Sequence, residues 1–241
     1  MSWLEPQDLT NILCTPSTTH WFGCDIFGRD LLARILYGIL ISTGLAVAIT
    51  VLSLIGACLI SFFVTTNTFR RRTYQYLQIF FIYILDCALA FPTLILCLIM
   101  SSVMPNSIYS FIIALVVPMT LHKTIFFDSA MTTISRKDYV ASAHALGLRR
   151  HHLFYNYYIK NLWPELRLQG LSSFIAVIMA ESTLSYLGLT STLQNNSLGK
   201  LLSESKDHLF DHPHAFIFPA LCIITLLVIL NFLLRKKQFE P

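Results

Sequence analysis

Three groups of residues in this chain are equipped for chemistry or contact. The first is Asp207-His-Leu-Phe-Asp-His-Pro-His214, where His208, His212 and His214 with Asp207 and Asp211 supply imidazole and carboxylate ligands of the kind that suit Ni²⁺ or Zn²⁺. A helical His208–His212 pair would set two imidazoles on one face. The same residues would serve equally as an exposed polar loop or as a contact surface for another protein. The second group is the acids Asp86 and Glu181, each inside an apolar run, where an ionised side chain costs roughly 3 kcal/mol or more unless it meets partners or water. They read either as the polar lining of a path across the membrane or as hydrogen bonds that lock helices together, and neither is a catalyst. The third is Asp138-Tyr-Val-Ala-Ser-Ala-His-Ala-Leu-Gly147. Here Ala141, Ser142, Ala143 and Ala145 would let a foreign surface approach the backbone, Tyr139, Val140 and Leu146 would be apolar anchors, and Gly147 lets the chain leave a helix with φ > 0. The spacing fits a docking helix and an amphipathic helix on a membrane surface alike; Arg149, Arg150 and Lys160 would favour the latter.

The elements that position these groups follow from composition. Of 241 residues, 55% are hydrophobic and only 12% charged, and the mean hydropathy is +0.63, which is outside the range of a soluble domain and marks an all-α integral membrane protein. About 20 apolar residues are needed to cross a hydrocarbon core as a helix, because lipid offers no partner to a bare N–H or C=O. Such runs fall at Ile35–Val64, Tyr76–Met100, Ser107–Phe127, Leu168–Leu189 and Ala215–Leu234, predicting about five spans. An outer tail and elbow (1–34) would then precede a transmembrane domain (35–241) with a cytoplasmic segment near 131–165.

Basic residues give the orientation. Arg70, Arg71 and Arg72 follow the first span, Lys123, Arg136, Lys137, Arg149, Arg150, Lys160 and Arg167 surround the segment between the third and fourth, and Arg235, Lys236 and Lys237 follow the fifth. Cytoplasmic flanks collect Lys and Arg, so the N-terminus is expected outside and the C-terminus in the cytoplasm. The net charge of +4 is explained by that bias and implies no nucleic acid. No cleavable signal is visible, since Glu5, Pro6 and Asp8 stand where its apolar core would be. Either the first span inserts by its own charge asymmetry, or an upstream helix is missing. Cys14 and Cys24 lie on the outer side, where they could pair, although nothing in their spacing fixes the geometry. No Gly-x4-Gly-Lys-[Ser/Thr] loop, Gly-x-Ser-x-Gly elbow or His-Glu-x-x-His helix occurs, so the chain has no phosphate cradle of its own and any energy source is a partner or a gradient.

The Asp138–Gly147 segment, continued by Tyr158-Ile-Lys-Asn161 and Pro164, resembles the EAA loop of the membrane-spanning subunits of ATP-binding cassette importers, in the C-type permeases of the dipeptide, oligopeptide and nickel group. Ala141 stands at the family's usual Glu, Ser142 at its first Ala and Lys160 at its Pro. His20-Trp-Phe-Gly-Cys-Asp-Ile-Phe-Gly-Arg-Asp30 is similar to the family's H-W-L-G-T-D-x-x-G-R-D signature, and Ala180-Glu-Ser-Thr-Leu-Ser-Tyr-Leu-Gly-Leu189 to its A-E-x-x-L-S-F-L-G-L. Asp86 with Phe91-Pro92, Leu198-Gly-Lys-Leu-Leu202, Phe218-Pro219, Asn231 and Phe239-Glu-Pro241 carry the likeness to the end of the chain. The family normally has six spans, and this chain begins just before the outer signature.

The resemblance implies a type I importer permease fold. It also implies a role in moving nickel, a metal chelate or short peptides inward, with a coupling helix over Asp138, Tyr139, Val140, Ala141, Ser142, Ala143, Leu146 and Gly147. It further implies a homologous B-type permease, two ATP-binding cassette subunits that carry ATP and Mg²⁺, and an extracytoplasmic solute-binding protein that the 207–214 loop could touch. The chain would sit as a multi-pass protein in the plasma (inner) membrane of a bacterium, bind no cofactor itself and catalyse nothing. The alternative is a gradient-driven carrier or channel, which calls for interrupted helices in both halves and facing midplane acids; no matching pair of interrupted helices is present.

Overall fold

A computed structural model describes residues 11–67, 83, 87, 90–148, 150–189 and 196–239. Helix α1 is Leu31–Asn67, α2 Thr93–Val103, α3 Ile108–Ser135, α4 Asp138–Ala145 and α5 Arg150–Leu153. A π-helical turn over Phe154–Ile159 leads into α6, Lys160–Tyr186; α7 is Leu198–Ser205 and α8 His214–Phe239. Among the described residues no strand forms beyond an isolated bridge between Cys24 and Asp30. Among the described residues four helical stretches are long and apolar enough to cross a membrane: Leu31–Phe62, Ile108–Ser135, Phe154–Tyr186 and His214–Lys236. Of the predicted second span, Tyr76–Met100, residues 76–82, 84–86 and 88–89 lie outside those described, Asp86 among them, as does the Arg70–Arg72 cluster; the start of α2 is its described end.

The helices start where the sequence offers an oxygen to the unpaired amides of the first turn. Asp30 Oδ2 accepts from Ala33 N at 3.0 Å, Ser107 Oγ from Ser110 N at 3.2 Å and Ser197 Oγ from Lys200 N at 3.4 Å. α1 has 37 residues and, at about 1.5 Å per residue, exceeds a hydrocarbon core of about 30 Å, so it protrudes into water. The segment between the third and fourth spans is more compact than the expected loop over 131–165. Helix α3 continues to Ser135 and the fourth apolar helix already begins at Phe154, because helical hydrogen bonding carries each rod past the boundary that hydropathy marks.

Helix α1 runs along α3 and α6, α2 packs on α3, and α7 lies across the end of α6 with α8 beside it. The central core joins Ala46 and Ile49 of α1 to Cys97 of α2, Phe111, Leu115 and Met119 of α3, and Val177, Ile178, Ala180 and Leu184 of α6. At the elbow end Leu31 and Ile35 meet Leu198 and Leu201, with Phe22 stacked on Phe218 at 4.3 Å. Helix α8 keeps Ile217, Leu221, Ile224, Val228, Ile229 and Phe232 exposed, an outward apolar surface suited to hydrocarbon or to another helix.

Candidate functional site

At one end of the bundle, α4 is held by its own chain on one face and open on the other. Val140 and Ala143 are buried with Met131 and Ile134 of α3, Leu153, Tyr158 and Leu162. Tyr139, Ala141, Ser142, Ala145, Leu146 and Gly147 are exposed, as is Asp138, and Leu146 leaves 80% of its surface uncovered. The helix ends as a Schellman motif: Leu148 N donates to Ala143 O at 3.4 Å while Gly147 takes φ +71°. The expected glycine exit is therefore present. Val140 and Ala143, expected on the contact face, are instead the root of the helix, because a 3.6-residue repeat that exposes Tyr139, Ser142 and Leu146 turns them inward. Tyr139 stacks on Tyr157 of the π-turn at 6.1 Å, and Phe62 of α1 meets Phe154 at 4.3 Å, so α4, the π-turn and α1 touch at this end.

The opposite end carries a buried ionic network that spacing alone did not reveal. Arg34, at 2% exposure, pairs with Asp25 Oδ2, with Glu204 Oε2 at 3.0 Å, and with Asn196 Oδ1 at 3.2 Å and 3.1 Å. Asp25 Oδ1 also accepts from Phe27 N and Arg29 N, both at 2.8 Å. Arg29 lies over the Phe27 ring at 5.0 Å; Asp30 is the N-cap and faces His20 at 3.3 Å. Cys14 and Cys24 form a disulfide. Gly23, at φ +79°, turns the chain just before Cys24, and Gly28, at φ +74°, turns it back between Asp25 and Arg29.

Glu181 is fully buried and accepts from Ser185 Oγ at 3.1 Å and Ser182 Oγ at 3.5 Å, while Ser197 Oγ donates to Ser185 Oγ at 2.9 Å. Its side chain is sealed among hydroxyls where α6 meets the start of α7. Gly199 allows this closeness, since a Cβ there would stand 2.2 Å from Ser182 O. Midway along the bundle, Lys123 Nζ donates to Ser53 Oγ, and Ser61 Oγ to Thr124 O at 3.0 Å, tying α3 to α1. The contacts Ser61–Thr124, Lys123–Ser53 and Arg34–Glu204 join residues 63, 70 and 170 positions apart, so no local pattern announces them.

The metal reading of the 207–214 loop is not carried by its geometry. Among the described residues no group of three or more His, Cys, Asp or Glu side chains is gathered closely enough to hold an ion. The loop turns through a short 3₁₀ segment over Lys206–His208 before Pro213, which leaves Asp207 and Asp211 facing outward. His214 packs against Gly23 and His212 meets it edge-on at 5.9 Å.

A multi-pass helical bundle with a half-exposed helix at one end and a stapled elbow at the other is the architecture of a membrane-embedded translocation subunit. The chain belongs to the family of binding-protein-dependent transport system inner membrane components, which matches residues 59–236. It is similar to the dipeptide transport system permease protein DppC of Alkalihalophilus pseudofirmus, at 26% identity over 92% of this chain and 71% of that protein. The oligopeptide transport system permease protein OppC of Bacillus subtilis is 27% identical over 90% of this chain and 70% of its own length. A putative peptide transport system permease protein of Brucella suis is 27% identical over 86% and 68%. The resemblance to the C-type permeases of ATP-binding cassette importers is thereby borne out, and with it an all-α membrane fold of the type I permease kind.

Proposed function

We propose that this chain is the C-type permease of an importer for short peptides, and that α4 is the helix through which partner ATPase subunits drive it. The observation that carries this is the division of α4 into a buried root, Val140 and Ala143, and an exposed face centred on Tyr139, Ser142 and Leu146. A helix anchored on one side and bare on the other transmits a push from a partner into α3 and the π-turn without unfolding. Relatives named for dipeptide and oligopeptide transport support peptides as cargo. The nickel or metal-chelate alternative has no three-ligand group behind it among the described residues.

In this reading a homologous B-type permease covers part of the outward apolar surface, a solute-binding protein delivers peptide at the elbow end, and ATP with Mg²⁺ is held by the cassette subunits. ATP binding closes the cassette dimer, α4 follows, and the span interface opens to the other side. The α4 end is cytoplasmic, in keeping with Arg136, Lys137 and Lys160 around it. The test is to purify the complex from its natural host in detergent, with Leu146→Arg as the variant. With 80% of its surface exposed, Leu146 can change without loss of packing, so the variant is expected in the membrane at normal level while co-purified ATPase falls at least about tenfold, the loss of one interface anchor. ATPase retained at the original level would remove α4 as the docking site.

A further inference from the structure

At the elbow end, away from α4, the end of α2, the turn into α3 and the end of α6 enclose a cavity of about 190 Å³. Its wall includes Ser101, Ser102, Asn106, Ser107 and Ser110, with Gly188 and Leu189 closing one side, and no charged residue lines it. The hydrogens of two of these hydroxyls are already committed. Ser101 Oγ donates to Leu189 O at 3.0 Å and Ser102 Oγ to Leu98 O at 2.8 Å, so what these two present to the cavity is lone pairs. Ser107 Oγ accepts from Ser110 N at 3.2 Å and shares one hydrogen with Ser110 Oγ at 2.9 Å.

Two helix C-termini, of α2 at Val103 and of α6 at Tyr186, meet here against the single N-terminus of α3. Helix C-termini carry partial negative charge. The lone pairs of Ser101 and Ser102 and the end of α2 thus offer acceptors beside the Asn106 amide and the hydroxyl hydrogen that Ser107 and Ser110 leave unshared, with no acid or base to demand a full counter-charge. Such a wall complements a small group rich in N–H donors. The volume is below the roughly 300–1,000 Å³ that encloses a drug-sized ligand, so it has room for one end of a peptide.

We propose that this cavity is a subsite for the free amino-terminal residue of a peptide, its ammonium held by the serine hydroxyls and the last carbonyls of α2, and its first carbonyl facing the Asn106 amide. Neutral groups reading only main chain would admit many sequences and release them readily, as passage requires. The inference rests on the peptide-importer reading above.

The test uses the assembled complex in proteoliposomes with its binding protein, carrying Val103→p-benzoylphenylalanine at the rim, a residue 81% exposed and outside the lining, and, as control, the same probe at Leu221 on the outward face of α8. Radiolabelled dialanine is expected to be captured at 103 during turnover and not at 221. N-acetyl-dialanine, which lacks the ammonium, is expected to compete about tenfold or more less well, the effect of one lost charge-assisted hydrogen bond. Asn106→Trp, filling the cavity from an exposed turn, is expected to abolish capture while the ATPase still co-purifies. Capture of the binding protein in place of peptide, capture of lipid alone, or equal competition by the acetylated peptide would each overturn the subsite. If the unmodified complex imports dialanine and the probe at 103 captures none, the subsite falls alone; if it imports no peptide at all, the importer reading falls with it.

Discussion

Arg34 is the residue on which the elbow end depends. Its guanidinium holds Asp25 of the elbow, Asn196 before α7 and Glu204 within α7, and a planar fork can serve these directions where an ammonium cannot. Removing it leaves buried carboxylates without a cation, which costs about 3–5 kcal/mol when one partner of a buried pair is lost. Arg34→Ala is expected to lower the thermal unfolding midpoint of the detergent-solubilised protein sharply, and Arg34→Lys to recover only part of it. A midpoint unchanged by Arg34→Ala would mean that water or lipid headgroups satisfy the acids, and the network would not hold the elbow. Glu181 plays a quieter version of the same part, its carboxylate supplying the acceptors that the hydroxyls of Ser182 and Ser185 need. Its place in an A-E-x-x-L-S pattern is plain in the chain, but its role is not, because burial depends on α7 folding back from residues beyond the span.

At the scale of elements, the closest packing is α6 against α7. A methyl group at Gly199 would sit 2.2 Å from Ser182 O and 2.7 Å from Ser185 Cβ, whereas one at Gly44 would meet nothing within 4 Å. Gly199→Ala is expected to displace α7 and reduce the folded yield severely. Gly44→Ala, in the middle of α1, is expected to be neutral or stabilising by up to about 1 kcal/mol, the ordinary helical difference between the two residues. Folded yield by fluorescence-detected size exclusion separates the two; equal yields would show that α7 is not seated on α6 as described. This contrast also shows what is legible in a sequence. The existence of α4 was legible because it is local: an acid at its start, small residues within and a glycine after it. Which side of α4 is bare was not, since that depends on where α3 and the π-turn come to lie. The disulfide was equally hidden, because the approach of Cys14 and Cys24 depends on turns at Leu13 and Gly23, both with positive φ.

For the whole molecule, the proposed orientation places the elbow, disulfide and α7 outside and α4 with the end of α8 inside. Cells expressing the chain with a green fluorescent protein after Pro241 are expected to fluoresce, and a membrane-impermeant maleimide is expected to label Phe210→Cys, whose parent side chain is 95% exposed, in intact cells. A dark fusion together with labelling only after lysis would invert the topology. The two-faced α4 carries a genetic consequence. Loss of transport through Val140 is damage within one polypeptide, so reversion by a second change should map to Met131, Ile134 or Tyr158 of the same gene. Loss through Leu146 leaves the fold intact, and its compensating changes should arise in a different gene, the one that encodes the surface Leu146 touches.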